Sequence, residues 1–177
     1  MWTLFGNIAQ GINKKEAKTI HMTTPAKHAI TPTNAEGFCR KVLAKQQYLV
    51  LHSQLLWHCC QLLAEGKKVD LEAMQVAAWL HDTGRAYVTD GHAEKSVELA
   101  EEQFGTLNPV VKDCIANHGA DNNPTTEEGR IFQLADKISL LTPESFLADA
   151  REDKRKAMKR WRKHLDKIEK VLEGYEF

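Results

Sequence analysis

Apolar side chains in this sequence recur at intervals of three and four residues, and almost every such run is bounded by a residue that starts or stops a helix. No other feature constrains the fold as tightly. A period near about 3.6 buries one face of a helix but scatters over both faces of a strand. Thr33 with Glu36 fits a capping box for a first helix reaching about Tyr48. A second is expected from Leu49 to Ala64, closed by Gly66, and a third from Leu71 to Leu80 with Asp70 as its cap. Asp90 opens a fourth that Gly105 ends, and Asn108-Pro109 starts a fifth that ends near His118-Gly119. Thr125 with Glu128 forms another capping box ahead of Ile131-Phe132. Thr142-Pro143 begins one long final helix, in which Met158, Trp161, Leu165, Ile168 and Leu172 keep the period. Alternation with period two is nowhere sustained, so the expected fold is all-α.

A chain of 177 residues favours one domain and can bury a core without a disulfide or a structural metal. Residues 1–32, broken by Pro25 and Pro32, are expected to form an N-terminal arm ahead of a helical domain over 33–177. Zero formal net charge argues against a surface wholly committed to nucleic acid or anionic membrane, and no sequence-specific nucleic-acid reader is expected. No apolar run is long enough to cross a bilayer, and the first residues lack the basic start and apolar stretch of a secretory signal. Cys39, Cys59, Cys60 and Cys114 contain no Cys-x-x-Cys pair and read as small buried residues, so a reducing, cytoplasmic location is expected. Assembly into a homo-oligomer is left open. Charge is biased only in the final helix, where Arg151 to Lys170 holds ten Lys and Arg against four Asp and Glu. It reads either as a solvated face or as a basic rim that draws anionic substrate toward a pocket.

Eight histidines are the unusual feature of the composition. On the helix map His52 lies in the second helix, His81 and Asp82 end the third, His92 begins the fourth, His118 ends the fifth and Asp136 sits in the sixth. In an all-α bundle, ligand sites form where side chains of several helices converge. Four imidazoles and two carboxylates suit first-row divalent metals, and six donors exceed what one structural zinc takes. A His-Asp dipeptide alone is common. Its setting here is more specific, because Ala77-Ala78-Trp79-Leu80 precedes it and Thr83-Gly84 follows, placing charge at the end of an apolar helix where it needs a partner. Arg85 and Lys137 adjoin proposed ligands without an apolar packing role and are candidates for phosphate contact. His58 reads as a core or boundary histidine, whereas solvent exposure accounts for His21, His28 and His164. Trp57, Trp79 and Trp161 sit at core positions.

The segment Ala77 to Gly84 resembles the central motif of the HD superfamily of metal-dependent phosphohydrolases. His52 stands where the family has its earlier histidine, and Leu134-Ala135-Asp136-Lys137 is similar to its later aspartate segment. The resemblance covers about residues 38–142 and implies an HD-domain helical bundle with His52, His81, Asp82 and Asp136 on one metal. His92, in Gly91-His92-Ala93-Glu94, and His118, in Ile115-Ala116-Asn117-His118, look like the extra pair of the binuclear subset. The stretch from Thr125 to Asp136 resembles bacterial members that cleave diadenosine tetraphosphate symmetrically. Gly119 after His118, and the lack of a Gly-Tyr-Pro motif, depart from the cyclic di-nucleotide phosphodiesterases.

The resemblance implies an enzyme that hydrolyses a nucleotide or other small phosphoester. Its cofactors would be two divalent ions, drawn from iron, manganese, nickel or zinc with magnesium a further candidate. A divalent ion lowers the pKa of coordinated water from about 15.7 toward about 7, supplying hydroxide at neutral pH. Asp82 would be both ligand and proton handler, and Arg85 and Lys137 would hold phosphate oxygens. Two other readings share the ligand set: a di-iron oxygenase of the same fold, and a non-catalytic nucleotide-binding module.

Overall fold

The computed structural model describes residues 30–173, so all but the end of the arm expected over 1–32 lies outside the described residues, as do His21 and His28. Helices account for every regular element among those described, in agreement with the all-α expectation. The first, α1 (Pro32–Val42), starts earlier than the capping box predicts. Thr31, not Thr33, is its cap and accepts from the Asn34 amide at 3.2 Å, because Pro32 has the fixed φ and missing N–H that suit a first helical position. It also stops at Val42, short of Tyr48, and the chain turns before α2 (Gln47–Leu63). Gly66 follows α2 with φ 77°, a left-handed conformation that lets the chain leave the helix. α3 (Leu71–Leu80) is as expected, with Asp70 Oδ1 accepting from the Ala73 amide at 2.9 Å.

A 3₁₀ turn over Thr83–Ala86 then leads toward α4 (His92–Phe104). Asp90 does not cap α4; Gly91 holds that position at φ 70° and sets His92 as the first helical residue. α5 (Pro109–Ala116) begins as the Asn-Pro signal predicts. α6 (Glu127–Ser139) is capped by Thr126 instead of Thr125. The cause is Asp113 on α5, whose carboxylate accepts from both the Thr125 and Thr126 amides and holds Thr125 in the loop. The long final helix is in fact two, α7 (Pro143–Glu152) and α8 (Lys154–Leu172). Asp153 breaks it with extended backbone and caps α8 through the Arg155 and Lys156 amides.

α3 lies at the centre, packed by α1, α2 and α5, while α2 runs along α6 and α8 packs on the other helices through α6 and α7. Leu56, Met74, Leu80, Ile115, Ile131 and Phe132 form the fully buried core. Each such side chain contributes about 1.5–3 kcal/mol on burial. All four cysteines are buried free thiols, as expected. Two histidine readings are corrected: His58 is exposed on α2, turned away from the core by its helical phase, and His164 is half-buried where α8 packs inward.

Gly84 fixes α4 against the turn that follows α3. A methyl group there would stand 2.2 Å from the His92 carbonyl oxygen and 2.9 Å from the Ser96 amide nitrogen. The close approach is bonded: the Gly84 amide donates to Ser96 Oγ at 2.8 Å, and that hydroxyl donates to the His92 carbonyl at 2.8 Å. Asp113 plays the same part for α6. It is buried and accepts from Thr126 Oγ1 at 2.6 Å and from Asn117 Nδ2 at 2.7 Å, besides the two amides.

Gly84→Ala therefore lowers stability by about 1–3 kcal/mol through overpacking, seen as a lower denaturant midpoint at unchanged slope. Gly37→Ala in α1, where nothing lies within 4 Å, leaves stability unchanged or raises it by up to about 1 kcal/mol. Burial raises the Asp113 carboxyl, but hydrogen bonds from Thr126, Asn117 and Thr125 outweigh it and hold the group below its ordinary value. A lowered native pKa makes its stabilisation complete above the unfolded value of about 4 and lost as pH falls through the native one. Asp113→Asn should cost about 1–3 kcal/mol at neutral pH, and urea unfolding of metal-free protein should show that difference shrinking below about pH 4.

Candidate metal centre

His52 belongs to the buried face of α2, His81 closes α3, Asp82 enters the 3₁₀ turn, His92 opens α4, His118 follows α5 and Asp136 lies in α6. The fold gathers all six into two groups of three. His52, His81 and Asp136 form one, and Asp82, His92 and His118 the other; all are buried except His92, which is partly exposed. In the first group, His52 Nε2 is 2.9 Å from Asp136 Oδ1 and 3.2 Å from His81 Nε2. In the second, His92 Nε2 is 3.3 Å from Asp82 Oδ1 and 3.2 Å from His118 Nε2. Asp82 divides its oxygens between them: Oδ2 lies 3.6 Å from His81 Nε2, while Oδ1 faces His92.

The second ring nitrogen of each histidine decides what the first can do. Nδ1–H donates to Ala78 O at 3.0 Å in His81, to Thr89 O at 3.2 Å in His92 and to Ile115 O at 2.7 Å in His118. Each acceptor is the carbonyl three residues upstream. For His81 and His118 it belongs to the last turn of a helix, where carbonyls lack an intrahelical partner. Ser139 gives its hydroxyl proton to Asp136 O at 2.8 Å, so its oxygen accepts from His52 Nδ1 at 3.2 Å. In its neutral form each of the four rings thus turns an Nε2 lone pair inward.

Lone pairs facing each other at 3.2 Å repel unless a positive charge lies between them. Two nitrogen ligands, each about 2.1 Å from one ion, stand roughly 3.0–3.4 Å apart at octahedral to tetrahedral angles, so these residues fit divalent metal.

Electrostatics agree with that fit. Burial pushes His81 down to about 3 and lowers His118, keeping both neutral. Burial also opposes charge on His52, but the Asp136 carboxylate beside it raises its pKa. Asp82 and Asp136 are held well below the carboxylate range despite burial, Asp82 by the histidines and the Arg85 guanidinium around it and Asp136 chiefly by Lys137. Neutral His81 and His118 and ionised carboxylates leave little proton competition at those four donors, whereas His52 must give up a proton that Asp136 helps it hold. Arg85 is about one-third exposed and donates from Nε to Asp82 Oδ1 at 2.6 Å and from Nη2 to His92 Nε2 at 2.8 Å. Lys137 is buried, with its ammonium on Asp136 Oδ2. Phe132 packs edge-on to His81, with ring centroids 5.8 Å apart.

Sequence reasoning passed over the groups that hold the donors in place. Ser139 orients His52, and Gln133 on α6 donates to the Asn117 and Asn122 carbonyls at 3.2 and 3.0 Å, bracing the loop around His118. A glutamine among the apolar positions of α6 is the one signal the sequence offers for them.

Comparison with known proteins gives a consistent picture. The HD domain family matches residues 49–141, a span that includes all six donors. Ribonuclease Y of Treponema denticola is 30% identical over 132 residues, and that of Bacillus pumilus is 31% identical over 133. Ribonuclease Y of Bacillus subtilis is 30% identical over 133 residues. In each case the match takes in 73% of this chain but 24% of the relative, so the chain spans about a quarter of the length of these proteins. No solved structure matches the chain. With the histidine-aspartate pair at the end of α3, four further donors around it and a family match over more than half its length, the chain belongs to the HD domain family, whose members are in general metal-dependent hydrolases.

Proposed function

We propose that the chain is a binuclear metal-dependent phosphohydrolase acting on a phosphoester of nucleotide type. The observation that carries this reading is the division of the Asp82 oxygens between two triads that each supply two inward Nε2 lone pairs. His52, His81 and Asp136 would hold one ion, His92 and His118 the other, with Asp82 between them. Divalent ions held there would lower the pKa of a bound water toward about 7 and neutralise charge on a phosphoryl oxygen.

The protein's own groups supply the rest. Asp82, held ionised, would start turnover as an acceptor and take a proton from the attacking water. Arg85 fixes the orientation of that carboxylate, and its partial exposure lets its fork turn to the phosphoryl oxygens of an arriving ester. Lys137 is too buried for the same reach; it keeps Asp136 ionised and adds positive charge beneath the site. The name Ribonuclease Y assigns those relatives RNA, a polymer of nucleotide phosphoesters, which supports a nucleotide-type substrate here.

Two experiments test the reading. Metal titration of manganese- or iron-loaded protein should reach two equivalents, with His92→Ala and His118→Ala each retaining one. A wild-type protein that never exceeds one equivalent overturns the binuclear centre. Hydrolysis of a panel of nucleotide mono- and diesters, diadenosine tetraphosphate among them, should fall by at least about 10²-fold in Asp82→Asn even at saturating metal. Arg85→Ala should raise KM more than it lowers kcat. Wild-type turnover by Asp82→Asn places the chemistry elsewhere, and oxygen consumption without ester cleavage by the iron-loaded protein replaces hydrolysis with oxygenation.

A further inference from the structure

The inward face of α8 is built from Ala157, Trp161, His164, Ile168 and Val171, at spacings of three and four, with His164 the polar member near the middle. Along one edge of that face runs a second row at the same spacing: Lys156, Arg160, Lys163, Lys167 and Lys170. Every member is cationic. The acidic residues of α8, Asp166 and Glu169, fall on the far side of the helix with Arg155, Lys159 and Arg162. A helix face that serves only solubility intersperses both signs, as the far side of α8 does, whereas this edge carries positive charge alone.

Lys167 brings the middle of that edge near the metal centre. α8 packs on α6, which carries Asp136 and Lys137. Lys167 is half-buried and close enough to Lys137, Lys163, Asp136 and Arg85 to feel their charges, and His164 feels Asp136 and Lys137. Lys170 pairs with Asp121 in the loop after His118, where the row borders a cavity of about 290 Å³ lined in part by Asn122, Arg130 and Gln133. Lys163 and Lys167 themselves have no ion-pair partner among the described residues. Around the half-buried Lys167 ammonium, Lys137, Lys163 and Arg85 outweigh the Asp136 carboxylate, a surrounding that favours a further anion beside it.

We propose that the Arg160, Lys163 and Lys167 edge of α8 is a phosphate-binding track that holds phosphates of an oligonucleotide strand outside the one being cleaved. The inference rests on the phosphohydrolase reading for where the strand leads, and extends it to the substrate class. One cation per helical turn recurs about every 5.4 Å, so successive phosphates of a strand, one nucleotide apart, can each meet a different side chain. Phosphates joined by anhydride bonds share a bridging oxygen; they would crowd onto one or two cations and leave the row unused. Contacts to phosphate alone carry no base information, which agrees with the absence of any expected sequence-specific reader.

The test is fluorescence anisotropy of labelled single-stranded oligoribonucleotides of increasing length, with chelator present so that none is cleaved. Affinity should rise with length. Lys163→Gln with Lys167→Gln should weaken binding at least about tenfold and reduce the slope of log affinity against log salt by about 1.4, or about 0.7 for each phosphate that no longer meets a cation. Lys159→Gln with Arg162→Gln, an equal charge change on the far side of α8, should alter neither. Equal losses from the two pairs would reduce the track to diffuse attraction. Affinity that does not grow with length, with ATP competing as well as the strand, would make the ligand a small nucleotide. Either result overturns the proposal. The hydrolase reading fails separately: strands that bind as expected but survive with manganese-loaded protein refute cleavage and leave the track standing. Nucleotide esters cleaved by a protein that binds no strand do the reverse.

Discussion

Four imidazoles share one small volume of this bundle, and each must present an unprotonated nitrogen to it. The rest of the architecture answers that demand. Lone pairs converging at 3.2 Å and two ionised carboxylates away from water cost several kcal/mol before any ion arrives. Arg85 and Lys137 offset part of that cost by pairing with the carboxylates, and the apolar core around Met74, Leu80 and Phe132 carries the remainder. The ring tautomers are set by carbonyls that helix ends leave free. α3 stops at Leu80 and α5 at Ala116, which frees the oxygens of Ala78 and Ile115 for His81 and His118. Helix length and ligand chemistry are therefore one design problem here.

The neighbours His81 and Asp82 serve different triads because the backbone changes course between them. His81 keeps helical angles (φ −57°, ψ −34°), whereas Asp82 has left the helix (φ −107°, ψ 7°). The residues that follow must then curl tightly enough to bring α4 against the turn, and the absent side chain of Gly84 makes room for the His92 carbonyl. A dipeptide at a helix end followed closely by glycine thus couples two ligand groups through a few backbone angles.

This explains why the donors were legible in the sequence and their supports were not. His52, His81, Asp82, His92, His118 and Asp136 bear chemistry in their side chains, and all but His52 sit near a helix end. The structure brings all six together. Ser139, Gln133 and Asp113 act through hydrogen bonds to groups distant in sequence, and a serine, a glutamine or an aspartate in a helix carries no local mark of such a bond. The capping boxes failed where a tertiary or local competitor existed. Pro32 drew the start of α1 back to Thr31, and Asp113 moved the cap of α6 on to Thr126. The solvated reading of His164 failed for a related reason: its helix is amphipathic, but which edge packs inward depends on where α8 lies, and that is decided outside α8.

The deciding residue is Asp153. A continuous helix over 143–172 would extend about 45 Å in one direction and carry most of its basic residues away from the centre. Extended backbone at Asp153, with its carboxylate on the Arg155 and Lys156 amides, ends α7 and starts α8 on a new course. Phe146 and Trp161, on either side of the break, meet with ring centroids 4.6 Å apart and close the pair into a hairpin. Only then does α8 return along α6, and only then does the excess of Lys and Arg become directional. The same ten basic residues on a straight helix would be a solubilising rod. Folded back at one capped aspartate, one edge of them stands beside Asp136 and Lys137, where long-range charge acts on whatever reaches the donors.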